Sequence, residues 1–142
     1  MYQRDFILRM IEMLGELVAG ILSMIKKRDF PQAKEALENA YYEFLKQDAS
    51  FFKGIKKSEL TELLIKEHNY TNGHLEILAE LLYAEAELAF AQGNYVESIE
   101  FYEKSLFLFL FIDNESKVFS LDKQNKIATI KNKLQELSKK AN

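Results

Sequence analysis

Lys27-Arg28-Asp29-Phe30-Pro31-Gln32-Ala33 and, 65 positions later (27 to 92), Gln92-Gly93-Asn94-Tyr95-Val96-Glu97-Ser98 give the same instruction twice. In each, a short polar turn leads to an Asp or Asn suited to cap a helix. An aromatic follows, and then a Gln or Glu that completes a capping box. Each stretch ends one amphipathic segment and opens another, so the sequence predicts helical hairpins. Repeated hairpins stack into binding scaffolds more often than they build active sites.

Upstream of the first turn, Phe6, Ile7, Met10, Ile11, Leu14, Leu17, Val18, Ile21, Leu22 and Ile25 recur at helical spacing, predicting a helix from about Tyr2 to Lys27. Its charges (Arg4, Asp5, Arg9, Glu12 and Glu16) exclude a signal-peptide core or a membrane span. Gly15 and Gly20 are expected where another helix approaches closely. Downstream, Asp29 caps a helix that tolerates Pro31 in its first turn and buries Ala33, Ala36, Leu37, Ala40, Tyr41, Phe44 and Leu45. Gln47 to Lys57 reads as a connection anchored by Phe51, Phe52 and Ile55. A short helix then begins at Ser58.

His68 to Gly73 is the clearest break, ending in the turn-favouring pair Asn72-Gly73. Long helices are predicted from His74 to Ala91 and from Tyr95 to Ile112, separated by Gly93 and capped by Asn94. Leu106 to Ile112 has no polar position, so no side of it is expected to face water. Ser120 caps a last helix to about Lys139, with a stripe of Ile127, Ile130, Leu134 and Leu137. The fold class is therefore all-α, one domain over 1–142, with about five long or medium helices plus a short one and a C-terminal capping helix. A chain of this length can bury about two thirds of its unfolded surface.

Charge is unevenly spread. Glu76 to Glu103 holds seven Glu and no Lys or Arg, whereas Lys123 to Lys140 holds six Lys and one Glu. These segments are expected to neutralise each other within one molecule; the other reading is a basic tail for an acidic partner. A net charge of −3 gives no reason to expect nucleic acid as a partner. The absence of cysteine excludes disulfides, thiolate metal sites and Cys nucleophiles, and suits a cytoplasmic protein.

Chemistry is sparse. His68 and His74 could meet as metal ligands with Glu67 or Glu76, but their spacing is no recognised ligand pattern. Ile65 and Thr71 stand three places before the two histidines, where a di-iron helical bundle needs Glu. The five glycines are dispersed and form no phosphate loop. Ser58 and Ser98 read as a cap and a small packing residue rather than as nucleophiles. Glu80 and Glu87 share one helix side but stand two turns apart, which reads as an acidic face rather than an acid–base pair. No catalytic constellation, cofactor or metal is expected.

Leu78 to Ile112 resembles a tetratricopeptide repeat. Ala86 and Ala89 occupy small or aromatic positions of such a repeat's first helix, and Gly93-Asn94-Tyr95 its turn. Ser98, Tyr102 and Ser105 fill the small, aromatic and small positions of its second helix. Leu82 stands for the usual Trp, Ala86 for Gly, Leu110 for the closing Pro, and Glu85 where an apolar residue is usual. The earlier hairpin matches through Asp29-Phe30, Ala33, Leu37 and Ala40. The whole chain resembles an uncharacterised family of small bacterial tetratricopeptide-like proteins, through Arg4 to Glu12, Leu60 to Leu64 and Ala79 to Tyr102.

The resemblance implies a non-catalytic protein-interaction scaffold without assigning an activity. Its concave face would present Glu80, Tyr83, Glu87 and Phe90, with Val18, Leu22, Ile25 and Lys26 from the first hairpin. That surface suits a partner segment carrying aliphatic and basic residues. Self-association is the alternative, a homodimer using Phe107, Leu108, Phe111 and Ile112 unless the last helix covers them. A third reading is a small-molecule binder or enzyme with a pocket between hairpins.

Overall fold

The two echoing stretches form backbone twins. Arg28 and Gly93 both take the left-handed conformation, at φ 64° and 80°. The N–H of Asp29 donates back to Met24 O at 2.9 Å, and that of Asn94 to Ala89 O at 2.8 Å. Such returning bonds satisfy helix-end carbonyls that otherwise lack partners. The side chains differ: Asp29 accepts from Gln32 N at 3.4 Å, but Asn94 makes no capping bond. The full capping box expected at both turns forms at neither: Asp29 makes only its own half, and Asn94 makes none.

The computed structural model describes the backbone of residues 2–141 and the side chains of residues 6–140; Arg4 and Asp5 fall outside the latter. The chain forms α1 (Tyr2–Lys26), α2 (Phe30–Leu45), α3 (Ala49–Lys53), a 3₁₀ turn (Lys57–Glu59), α4 (Leu60–His68), α5 (Asn72–Ala91), α6 (Tyr95–Glu115) and α7 (Leu121–Ala141). No strand occurs among the described residues, so the fold is all-α.

Four boundaries correct the sequence reading. The stretch read as a connection contains α3, five residues long, which buries Phe52 against Tyr41 with ring centres 5.7 Å apart. The short helix expected from Ser58 starts at Leu60, after the 3₁₀ turn. Asn72-Gly73 is the first turn of α5 rather than a loop, because Thr71 caps the helix and His74 completes the box. A Cβ at Gly73 would overlap the Ile7 side chain, so only glycine lets α1 close onto the start of α5. The fourth is α6, which runs on to Glu115 before a short connection, with the Ser120 hydroxyl accepting from Lys123 N at 3.3 Å to cap α7.

The core lies around α5, which packs against α1, α2 and α6, while α7 packs along α6. Small positions serve this packing. The Ser98 hydroxyl donates to Ala86 O at 2.9 Å and that of Ser105 to Ala79 O at 2.8 Å, fastening α6 to α5. Gly15 and Gly20, expected at a close helix contact, would present a side chain to no neighbour within 4 Å. Glu85, where a repeat would have an apolar residue, is 6% exposed and pairs with Lys53 of α3 at 3.3 Å. Burial, only partly offset by Lys53, raises its carboxyl above the ordinary range. The Tyr41 hydroxyl, without a hydrogen-bond partner, is pushed up by burial and then by Glu85.

Candidate functional site

Glu80, Tyr83, Glu87 and Phe90 recur at intervals of three or four along α5, and the helix brings them to one side. That side is not an open groove. α7 lies over it with Lys123 paired to Glu76 at 2.9 Å and Lys126 to Glu80 at 3.6 Å. Lys126 also stands 4.1 Å above the Tyr83 ring, and Lys133 and Lys140 stand 4.6 and 5.3 Å above that of Phe90. The acidic and basic segments meet within one molecule, which closes the face read as a ligand surface.

Electrostatics follow from this cover. Burial raises the Glu80 carboxyl, the Lys126 ammonium pulls it back, and Glu76 adds a smaller raising effect. The Tyr83 and Tyr102 hydroxyls are pushed up by burial first and by the Glu87 charge second. On the first hairpin, Val18 and Ile25 are buried core, Leu22 is half-buried and Lys26 is exposed. These four do not assemble into a concave surface with the α5 residues.

Of the residues read as a self-association patch, Leu108 and Ile112 are buried, whereas Phe107 and Phe111 are half-buried against the core. The cover includes α7, through buried Ile127, Ile130 and Leu137 and half-buried Leu134. Leu106 lines an outer groove of about 410 Å³ with Ile99, Phe107, Leu110 and Leu134. Leu110 is exposed there, contrary to the expectation that no side of this run meets water.

The histidines are held apart in separate roles. His74 Nδ1 accepts from Thr71 N at 3.0 Å, and the His74 ring stacks 4.9 Å from that of Tyr70. Burial holds its pKa below the ordinary 6.5. His68 ends α4 with its ring edge-on to Phe51. Among the described residues no group of three or more His, Cys, Asp or Glu is placed to hold a metal ion.

The sequence reading missed a wide opening. A groove of about 810 Å³ lies where the beginnings of α1, α5 and α7 meet the end of α6. Phe6, Ile7, Leu8 and Ile11 form one wall, Gly73 and His74 another, and Ile112, Ser116 and Lys123 close it. Phe6 is 60% and Leu8 50% exposed, although both lie on α1 and Phe6 belongs to its apolar stripe. Outside the groove lining, the connection leaving Ser116 also carries exposed Val118 and Phe119. The available signal was an apolar stripe on α1 running past the last residue that α5 can cover.

No family model, curated protein or solved structure matches this chain. Among the described residues no helix is long and apolar enough to cross a membrane.

Proposed function

We propose that this chain is a non-catalytic protein–protein interaction scaffold of tetratricopeptide-like design, working in a bacterial cytoplasm. The observation that carries this reading is the open groove at the helix ends, with Phe6 and Leu8 exposed on its apolar α1 wall and polar groups of the α5 start opposite. Contiguous exposed apolar surface on a folded domain marks interaction sites. The twin hairpin turns and the packing of α5 against both α1 and α2 support the tetratricopeptide likeness. The ligand would be an aliphatic or aromatic segment of a protein partner.

The test is a photo-crosslinking amino acid at Phe6, expressed in the native host. The expected outcome is one dominant adduct with another protein, abolished by Leu8→Lys. Both positions are exposed, so these changes leave the core intact. Absence of an adduct overturns the groove as a docking site.

A second reading, self-association, is favoured by the outer flank of α6. Val96, Ile99, Leu106 and Leu110 recur at spacings of three, seven and four, the pattern of a helix–helix seam. Val96 and Leu110 on that flank are exposed. A dimer mass by light scattering that reverts to monomer in Leu110→Glu supports it; a monomer at all concentrations removes it.

A further inference from the structure

The cover of α5 is written in a seven-residue code. Lys126, Lys133 and Lys140 recur every seventh residue beside the aliphatic seam of α7, and Tyr83 and Phe90 stand seven apart on α5. Two rungs match, Lys126 over Tyr83 and Lys133 over Phe90, while Lys140 reaches back to Phe90 and across to Tyr95. Residue numbers rise together along both helices, from the Lys123–Glu76 pair to the Lys133–Phe90 contact, so α7 runs parallel to α5.

This helix is held chiefly by one neighbour, α6. Three of its side chains, Ile127, Ile130 and Leu137, are buried among the described residues. Its backbone follows α6, and its contacts with α5 are made chiefly by long lysine side chains. The connection 116–120 leaves Val118 and Phe119 exposed and is braced mainly by the Ser116 hydroxyl and by Gln124 donating to Asp113 at 2.9 Å. Every contact that seats α7 is one that a helix from another chain would also make: an aliphatic seam for α6, and lysines for the acidic and aromatic ladder of α5.

We propose that the α5–α6 face is a receptor for a parallel, lysine-bearing amphipathic helix of a partner protein, and that α7 is its built-in competitor. The inference concerns a different face from the groove at Phe6 and does not depend on that reading. A tethered α7 acts at an effective concentration on the order of millimolar, so an external helix gains the face only when α7 is lifted.

The test uses the full chain and a fluorescent synthetic peptide of residues 121–141, read by anisotropy. Ile130→Glu in the chain unseats α7 while leaving α5 and α6 unchanged. The expected result is peptide binding about tenfold or more tighter than to the unaltered chain, lost about tenfold when the peptide carries Lys126→Glu and Lys133→Glu. Circular dichroism confirms that the altered chain keeps its remaining helices. A folded Ile130→Glu chain that ignores the peptide overturns the proposal. So does a stable dimer of the unaltered chain by light scattering, since a second copy's α7 is then the occupant. Should Ile130→Glu unfold, hydrogen exchange on the unaltered chain decides. Amides of α7 opening well before those of α5 support a displaceable helix, and opening of both together overturns it.

Discussion

α5 and α7 are nearly equal in length, yet among the described residues α5 buries twelve and α7 three. Both carry aliphatic residues at helical spacing, so pattern alone does not separate them. What separates them is the number of neighbours. α5 sits between α1, α2 and α6, and its alanines at 79, 84, 86 and 89 let other helices approach on several sides. α7 has α6 on one side and reaches α5 through flexible cations. A helix is central by where the hairpins put it, and its own sequence records that only through its small residues.

The largest expected difference between the two helices is in core truncation. Leu81→Ala on α5 should lower the unfolding free energy by about 2–5 kcal/mol, measured by denaturant titration. Ile130→Ala is at an equally buried site on α7, but α7 has fewer helices packed around it, so the site should collapse further and the cost should be lower. Equal losses would break the comparison.

Acidification tests the helix starts. His74 has its pKa lowered by burial, so the native chain binds the imidazole proton less readily than the unfolded chain does. Its contribution is complete above the ordinary 6.5 and is lost as pH falls from there towards the lowered value. A protonated Nδ1 cannot accept from Thr71 N, so that half of the α5 capping box is lost, at a cost of about 1 kcal/mol, while His74 N–H still donates to Thr71 Oγ1. The Ser120 cap of α7 has no titrating group. Unfolding titrations from about pH 7.5 to about 5.5 should show this loss, and His74→Gln should remove it while keeping an acceptor.

The smallest effect sharpens the comparison most. Lys133→Ala deletes a cation above Phe90 and should weaken α7 seating by about 0.5–1 kcal/mol. Hydrogen exchange should speed along α7 and stay unchanged along α5. A matching acceleration in α5 would mean that the two helices open as one unit.

Much of this arrangement is legible in the sequence, and the misses have physical causes. The hairpin turns are readable because a left-handed residue, a polar cap and returning helical periodicity all occur locally. The start of α5 is misread because its capping box uses His74 where Glu or Gln is the usual sign, which makes Asn72-Gly73 look like a turn. α3 escapes because five residues are too few to show a period. Glu80, Tyr83, Glu87 and Phe90 do gather on one side, but that α7 covers them is a tertiary fact. Only the opposite charges of the two segments hint at it. The groove at Phe6 is invisible for a related reason: a stripe shows which side of α1 is apolar, but not where its neighbours end.

The contact between Ile7 and Gly73 has a consequence for synthesis. On a translating ribosome α1 emerges first, while the helix that must cover its apolar side is not yet made. At roughly 5–20 residues per second, several seconds pass before α5 follows. During that interval Leu14, Val18 and Ile21 have only α2 to shelter them, so the nascent chain is most exposed to aggregation before the ribosome reaches Ala91.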